Sequence, residues 1–379
     1  MLIKKIVWLP RAFFLLTIVF GYGQGDVTTF KQINLNDAQE LGEVQVNDLF
    51  ESMEYIILDE QEEYIGGIQQ LLWADHSIYI VDEFGPKVLQ YSLSGDLKNT
   101  YSSTGVGPHE VGVIDWIDLN PSTGELEVYD QGQRKIVYLD HNLNFLRSQS
   151  CPVVAHSMMS NDRGETVFFV NELPQSEVEK KNVFVWDKQK VIAGFLPIDE
   201  RYSLLSYDFA RAFSRYRNEV QLFQSFRPEV YAYTSGNMRL KYQLTGDIMV
   251  VKEEVAGKVV KDLFSYLPEN KKMVLRDFFE FDETLVFNIT DFQKQPMIFF
   301  NKNNGDVFWV NGIAPGEDFF VNPIAKNAGQ LIGFLPGETI PEVAKFFEQN
   351  KLENRAIKQW KSQGERGAII MLGKIKSMK

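Results

Sequence analysis

Two stretches of this chain, IYIVDEFGPKVLQYSLSGDL (78–97) and LEVYDQGQRKIVYLDHNLNF (126–145), can be aligned with each other at an offset of 48 residues. The alignment pairs Asp82 with Asp130, the residue that ends the first apolar run of each copy. In both copies, turn-forming residues separate short runs rich in apolar residues, which predicts three antiparallel strands joined by tight turns. A small β-sheet unit is therefore repeated along the chain.

Weaker copies of the same unit follow at residues 165–197, 218–246 and 283–310. Self-similarity with a period of forty-odd residues, built from short antiparallel strands, is typical of a β-propeller. In that architecture the sheets stand around an axis, so that each sheet buries its faces against its two neighbours. At roughly 48 residues per blade, this chain has room for about six blades. We therefore predict an all-β fold, a six-bladed β-propeller with four-stranded antiparallel blades.

The two ends of the chain are expected to close the ring. Strands are predicted at 53–59 and 367–376, and pairing between them would place both strands in the last blade and cover its open edge. A helical insertion is predicted at about 339–361, where Thr339 and Glu342 fit a capping box. We expect this insertion to pack against the last blade.

The first residues of the chain predict an export signal. Basic residues precede the apolar run AFFLLTIVF (12–20), and small residues follow it, as in a cleavable signal peptide. This run is too short to span a bilayer as a helix, and the alternative is a buried N-terminal helix. We divide the chain into a signal peptide (1–23), an N-terminal extension (24–50) and the propeller (51–379). We expect a periplasmic or extracellular protein without a transmembrane helix in its mature chain.

Composition argues against several classes of protein. The chain carries 39 lysine and arginine residues against 51 aspartate and glutamate residues, a formal net charge of −12. Nucleic-acid binding needs a concentrated basic face, so we expect no nucleic-acid partner. The one cysteine, Cys151, cannot form an intrachain disulfide, and we expect a small buried residue rather than a nucleophile. We expect a monomer without a cofactor.

A resemblance to a known family is carried by the segments YIGGIQQLLWADHSIYIVD (64–82), TGVGPHEVGVIDWIDLNPSTGELEVYD (104–130), KIVYLDHNLNFLRS (135–148) and AIIMLGKIK (368–376). From about residue 50 to the C-terminus, the chain resembles the bacterial six-bladed β-propeller proteins related to NHL-repeat proteins. The resemblance implies an exported protein, and most members of that group have no known activity.

The corner at residues 105–110 resembles the G-x-G-P-G-E-type corner that introduces the second blade in that family, with His109 where glycine is usual. The corner lacks the Gly-Lys-Ser/Thr of a phosphate-binding loop, and a strand rather than a helix follows it, so we interpret it as a turn between two blades. Propeller loops gather at the mouth of the central channel. His109 and Glu110 are therefore candidate ligand-binding residues at that mouth.

A second candidate region, residues 201–220, combines arginine and aromatic residues in an acidic protein. Guanidinium groups beside aromatic rings are suited to binding carboxylates, sulfates or sugars. Arg211, Arg215 and Arg217 are the candidate ligand-binding residues of this region. The alternative is a linker between blades whose arginines pair with neighbouring carboxylates.

No catalytic or metal-binding residue is predicted. The four histidines are scattered, and the sequence contains no G-x-S-x-G motif. The acidic stretch RDFFEFDE (276–283) lacks the spacing of a calcium-binding loop, so we expect it to be a solvated turn. Carboxylates contributed singly by different blades would form no recognisable sequence motif.

The sequence therefore favours a binding or scaffold module whose ligand, at the channel mouth, is an unidentified glycan, peptide or envelope protein. The alternative is a cation-dependent hydrolase or lyase of the lactonase type with its site in the central channel. The sequence leans against an enzyme without deciding the question. An enzyme would show carboxylates directed into the channel with one or two histidines. A glycan-binding protein would show exposed aromatic residues on one face, and a scaffold would show a large apolar patch.

Overall fold

The computed structural model describes residues 30–60, 63–102, 104–172, 180–205, 211–224, 226–250 and 252–377. The predicted signal peptide (1–23) lies outside these residues. The described chain begins with the strands β1 (Lys31–Asn34), β2 (Gln39–Gln45) and β3 (Phe50–Ile57), with the short helix α1 (Val46–Leu49) between the last two.

The strands that follow form four-stranded antiparallel sheets, which are the blades of the propeller. We number the blades in chain order. Blade 1 contains β4 (Ile68–Trp73), β5 (Ile78–Asp82), β6 (Val88–Tyr91) and β7 (Leu97–Tyr101). Blade 2 contains β8 (Trp116–Leu119), β9 (Leu126–Asp130), β10 (Lys135–Leu139) and β11 (Phe145–Ser150). Blade 3 contains β12 (Ser157–Ser160), β13 (Thr166–Phe169), β14 (Lys181–Trp186) and β15 (Val191–Pro197).

The second half of the ring is built in the same way, with helices in two connections. Blade 4 contains β16 (Phe213–Tyr216), β17 (Glu219–Gln224), β18 (Arg227–Thr234) and β19 (Asn237–Thr245). Helices α2 (Lys252–Val255) and α3 (Val260–Glu269) lead to blade 5, which contains β20 (Val274–Glu280), β21 (Thr284–Thr290), β22 (Met297–Asn301) and β23 (Val307–Ala314). Blade 6 contains β24 (Pro323–Asn327), β25 (Gln330–Leu335), α4 (Ile340–Gln349), α5 (Arg355–Ser362) and β26 (Ile369–Ile375).

The blades stand in a closed ring. The innermost strands β4, β8, β12, β16, β20 and β24 contact one another in this order, and β24 returns to β4. Every residue of β5 and β9 is buried, because each blade packs apolar side chains against the next blade. The aligned stretches 78–97 and 126–145 form equivalent strands of blades 1 and 2. The predicted six-bladed β-propeller is confirmed.

The N-terminal segment completes the ring. β3 is the outermost strand of blade 6 and pairs antiparallel with β26, from Ile57 opposite Ile369 to Phe50 opposite Ile375, so the two ends of the chain pair as the sequence predicts. The same segment adds β1 in parallel to β19 and β2 in parallel to β23. It therefore covers the outer edges of blades 4 and 5 as well.

The predicted helical insertion at 339–361 forms two helices, α4 and α5, rather than one. Lys351, just after α4, has a φ of +54°, and a left-handed residue in this place ends a helix. Asn354 begins α5, where its side-chain oxygen accepts a hydrogen bond from the backbone N–H of Ile357. The capping box predicted at Thr339 does not form, because the Thr339 hydroxyl donates to the carbonyl oxygen of Pro336 instead.

The two faces of the ring carry different connections. The innermost strands of a propeller all run in the same direction, and we term the face at which they begin the upper face. The connections between blades and those between second and third strands lie on this face, including α2 to α5. The opposite, lower face carries tight turns such as 92–96 and 140–144. The upper face therefore holds the longer connections, which are the ones able to shape a site.

Gly367 allows a test of ring closure. Its φ is +83°, and a Cβ atom there would lie 1.8 Å from the carbonyl oxygen of Leu58, which follows β3. Gly364 has a similar φ of +94° but nothing within 4 Å of the same position. We expect Gly364→Ala to lower the free energy of unfolding by about 1–2 kcal/mol, the cost of a left-handed alanine. Gly367→Ala should lower it by about 2 kcal/mol more because of the added overlap. Urea-induced unfolding measures both, and equal losses would contradict a tight junction.

Candidate functional site

The innermost strands enclose a central channel with an open volume of about 190 Å³. All six blades contribute to its wall. Much of the wall is apolar, and Trp116, Met159, Phe213 and Phe279 are buried there. The charged side chains of the wall are Asp118, Arg211, Arg215, Asp277 and Lys326.

Arg215 connects three blades across the channel wall. Its Nη2 donates to both carboxylate oxygens of Asp118, at 3.1 and 3.3 Å, and to the backbone carbonyl oxygen of Ser160. Asp118 also accepts a hydrogen bond of 2.7 Å from the backbone N–H of Ser160. One ion pair with its hydrogen bonds therefore links β16, β8 and β12.

Asp118 is ionised in an environment that is nearly free of water. Its side chain is 1% exposed. Burial raises the pKa of Asp118 to about 6, against the opposing effects of Arg215 and the Ser160 N–H, which favour the ionised form. At neutral pH the carboxyl group is therefore a carboxylate, and its burial is tolerated because Arg215 provides the opposite charge.

Arg211 forms a similar pair nearer to the upper face. Its Nη1 lies 2.8 Å from Oδ1 of Asp277, a buried residue of β20. Nδ2 of Asn288 donates to the other carboxylate oxygen at 3.3 Å, and Nε of Arg276 lies 3.7 Å from that oxygen. The side chains of Arg211 and Arg215 are 23% and 30% exposed, so both guanidinium groups keep an accessible part in the channel.

A group of lysines surrounds Tyr216 at the lower end of the channel. The ammonium groups of Lys241, Lys302 and Lys326 lie 4.9, 4.7 and 5.5 Å from the centre of the Tyr216 ring, within the range of cation–π attraction. The carboxylate of Glu280 accepts hydrogen bonds of 2.7 Å from both Lys241 and Lys302. Although burial alone would raise the pKa of Glu280, these bonds lower it overall. We term these five residues the lower cluster.

The expectation of a solvated turn at 276–283 is wrong for most of that stretch. Residues 276–280 belong to the innermost strand β20, and Asp277 and Glu280 are buried. Each carboxylate is held by a cation from another part of the chain, Asp277 by Arg211 just before β16 and Glu280 by Lys241 on β19. Those partners lie far away along the chain, so local sequence could not distinguish buried carboxylates from solvated ones.

The three predicted arginines are not all in one place. Arg211 and Arg215 line the channel. Arg217 lies at the turn after β16, where it is 69% exposed and its Nη2 is 2.9 Å from Oδ1 of Asp282. Each of the three pairs with a carboxylate, as the linker interpretation expects, but two of the pairs are part of the channel wall.

His109 and Glu110 lie at the corner between blades 1 and 2, outside the channel wall. The Glu110 carboxylate accepts a hydrogen bond of 2.8 Å from the backbone N–H of Gly107. A Cβ atom at Gly105, whose φ is +152°, would lie 2.1 Å from that carboxylate. The His109 ring lies 6.0 Å from the ring of Phe145 on the outer strand β11, edge to face. The glycines of the corner therefore make room for a carboxylate that holds the turn.

Sequence reasoning did not select Asp118, Glu280 or Lys326. A signal for Asp118 was present, because it is a charged residue in the apolar run VIDWIDL (113–119). The lysines of the lower cluster carry no such signal, since they come from three different blades. Only the ring brings them together.

The described residues contain no group of three His, Cys, Asp or Glu side chains placed to hold a metal ion. The two carboxylates of the channel wall are each paired with an arginine. Within the same residues, every helix is too short or too polar to cross a membrane. Cys151 is buried as predicted, and burial raises the pKa of its thiol to about 12.

A family model described as a domain of unknown function, DUF4934, matches residues 30–373. The chain belongs to the DUF4934 family. No curated protein matches the sequence. The family assignment agrees with the resemblance to bacterial propeller proteins without known activity.

Among the solved structures that are similar to this DUF4934 protein are two from Bacteroides species. One is a protein described as exported, from Bacteroides fragilis NCTC 9343, with 11% identity, a TM-score of 0.71, and coverage of 89% of this chain and 100% of the other. The second is a member of the DUF4221 family from Bacteroides vulgatus ATCC 8482, with 9% identity, a TM-score of 0.55, and coverage of 86% and 97%. At these identities the likeness shows the fold alone.

The ion pair between Arg215 and Asp118 can be tested against the exposed pair between Arg217 and Asp282. Asp118→Ala leaves the Arg215 guanidinium in the channel wall without its carboxylate, and we expect it to lower the free energy of unfolding by about 3–5 kcal/mol. Asp282→Ala removes a solvated partner, and we expect little change. Urea-induced unfolding of both variants provides the comparison. If Asp118→Ala lowered the free energy of unfolding as little as Asp282→Ala, the channel pair would not be structurally important.

Proposed function

We propose that this protein is an exported binding module that engages a glycan, peptide or protein ligand on its upper face, with part of the ligand reaching into the channel. The single observation that carries this proposal is the pair of partly accessible arginines, Arg211 and Arg215, in an otherwise largely apolar channel wall. Guanidinium groups in apolar surroundings are well suited to binding polar or anionic groups.

The upper face supports this proposal with exposed aromatic side chains. Phe84, in the turn between β5 and β6, is 76% exposed. Tyr64 precedes β4, Phe264 lies on α3 and Phe346 lies on α4, and each is exposed as well. Aromatic side chains bind sugar rings and apolar side chains, and they are enriched in protein interfaces. Their position on the face with the longer connections favours a binding surface there.

Both arginines keep unused hydrogen-bonding capacity. Their Nε atoms are buried and have no hydrogen-bond partner among the described residues. Buried donors of this kind are usually satisfied by water or a ligand. A bound polar group would reach the accessible parts of the two guanidinium groups rather than these buried atoms.

The hydrolase or lyase alternative receives less support. A metal-dependent site needs several carboxylate or histidine ligands directed at one point. In the described part of the chain, Asp118 and Asp277 are instead directed at arginines. Binding is therefore the function that this geometry favours.

Export is part of the same proposal. The N-terminal sequence predicts a signal peptide, and the similar protein from Bacteroides fragilis is described as exported. We therefore place the binding module in the periplasm or outside the cell.

Arrays of glycans and peptides, probed with the labelled mature protein, test the binding function. We expect defined ligands to be retained. The combined change Phe84→Ser and Phe264→Ser should weaken binding to them by about tenfold or more, because exposed aromatics often dominate recognition surfaces. Leu93→Ser is the matched control, since Leu93 is exposed on a lower-face turn of the same blade as Phe84.

Two results would overturn the proposal. One is the absence of any ligand on either array, and the other is binding that depends on Leu93 and not on the upper-face aromatics. A thermal-shift panel of divalent cations addresses the alternative function. A cation that raises the melting temperature by several degrees, with the effect lost on chelation, would favour the hydrolase or lyase.

A further inference from the structure

One cation of the channel wall, Lys326, has no carboxylate in contact among the described residues. Arg211 pairs with Asp277, and Arg215 pairs with Asp118. By contrast, no carboxylate oxygen of the described residues lies within 4.0 Å of the Lys326 ammonium group. Lys326 is therefore the exception among the three cations of the wall.

The carboxylates around Lys326 are already engaged. Its ammonium group donates a hydrogen bond of 2.6 Å to the backbone carbonyl oxygen of Glu280, not to the Glu280 side chain. That side chain binds Lys241 and Lys302 instead. Asp282, the next acid along the chain, pairs with Arg217. In the part of the chain that the structure describes, both carboxylates near Lys326 therefore pair with other cations.

The channel wall consequently carries an excess of positive charge. Its charged side chains are three cations and two carboxylates. Burial lowers the pKa of Lys326 to about 8, with Lys241 and Lys302 acting in the same direction and Glu280 against it. The Lys326 side chain is therefore mostly protonated at neutral pH. A charge that is partly removed from water without a carboxylate in contact is costly, and an anion that reached it would relieve this cost.

We propose that the lower part of the channel is a carboxylate-binding site in which Lys326, assisted by Arg215, receives a carboxylate group of the ligand. This inference rests on the proposed binding function and specifies the ligand's chemistry. A carboxylate carries a single negative charge, which balances the one excess positive charge of the wall. A phosphate dianion would bring more negative charge than the wall can balance. The buried rings of Trp116 and Phe213 in the same wall would contact the apolar part of the bound molecule.

The site predicts a defined pH dependence. The protonated amine binds the carboxylate, and the carboxylate in turn stabilises the protonated form. Affinity should therefore be nearly constant between about pH 6, above which Asp118 beside Arg215 is ionised, and about pH 7. Above about pH 8 it should fall by up to about tenfold per pH unit, as free Lys326 loses its proton.

The groups that face Lys326 are Glu280, Asp282, Tyr216, Lys241 and Lys302. The pKa of Glu280 and that of Asp282 are lowered by their hydrogen bonds to neighbouring donors, although burial opposes the shift at both. The pKa of Tyr216 is raised to about 12 by burial and by Asp282. These three groups therefore do not titrate near pH 8.

Ligand-observed NMR with small carboxylates tests the site directly. The probes are acetate, D-galacturonate and N-acetylglycine, compared with acetamide, D-galactose and N-acetylglycinamide, and with inorganic phosphate. We expect the carboxylates to bind about tenfold or more tightly than their neutral counterparts, with the pH dependence given above. Galacturonate and N-acetylglycine distinguish a sugar acid from a peptide C-terminus as the source of the carboxylate.

Two variants and one labelling measurement complete the test. Lys326→Met should abolish the preference for carboxylates, and Lys98→Met, which removes an exposed lysine on β7, should not. Acetylation of Lys326 in the unaltered protein, followed by mass spectrometry, gives a readout that does not depend on folding of a variant. Carboxylates should protect Lys326 from acetylation, and the amides should not.

Any of three results would overturn the proposed carboxylate site. Carboxylate binding could be unchanged in Lys326→Met, it could be insensitive to pH, or it could be weaker than phosphate binding. If array ligands bind through the upper face and Lys326→Met does not affect them, the proposed function stands and this inference fails. If carboxylates protect Lys326 but no array ligand is found, the channel binds carboxylates at Lys326 and the proposed upper-face function fails.

Discussion

The antiparallel pairing of β3 with β26 joins the two ends of the chain and makes the ring complete. A strand such as β5 or β9 can be buried on both faces only when its blade has a neighbour on each side. Helix α5 lies over the junction, where the Gln359 side chain donates to the carbonyl oxygen of Tyr55 and Trp360 Nε1 donates to that of Gly367. Closure therefore organises the last helix as well as the last blade.

The ring also explains how this protein keeps charged side chains in its channel. Innermost strands from different blades place a carboxylate beside a guanidinium, as at Asp118 of blade 2 and Arg215 of blade 4, so that the buried carboxylate meets its partner from another blade. Such pairs contribute little net stability compared with apolar packing, but an unpaired member would be costly. They therefore favour one arrangement of the blades around the axis. Lys326 differs from the two arginines of the wall because its ammonium group is held by a backbone carbonyl oxygen and not by a carboxylate.

The repeat made the fold predictable. The copies at 78–97 and 126–145 share the order of strands and turns, and this order is a local property of the residues. The closing strands were predictable because the chain needs a partner for its last blade edge. The two-helix form of residues 339–361 was not predictable, because it depends on Lys351 adopting a left-handed conformation and on Asn354 capping a second helix.

Only part of the candidate site could be predicted from the sequence. The arginines at 211 and 215 were found because they are unusual in an acidic protein, and both line the channel. The corner at 105–110 was recognised as a turn from its glycines, and the structure adds that Glu110 occupies the space these glycines leave open.

The sequence by itself determined the blade unit, the number of blades and the way in which the ends meet, because strand alternation and turn chemistry act between neighbouring residues. Only the tertiary structure decided which charges are buried and which partners they have. Asp277 and Glu280 looked like part of a solvated turn, and nothing in the sequence singled out Lys326. Their surroundings are contributed by other blades, and electrostatic energy depends on distance in space and on burial rather than on separation along the chain.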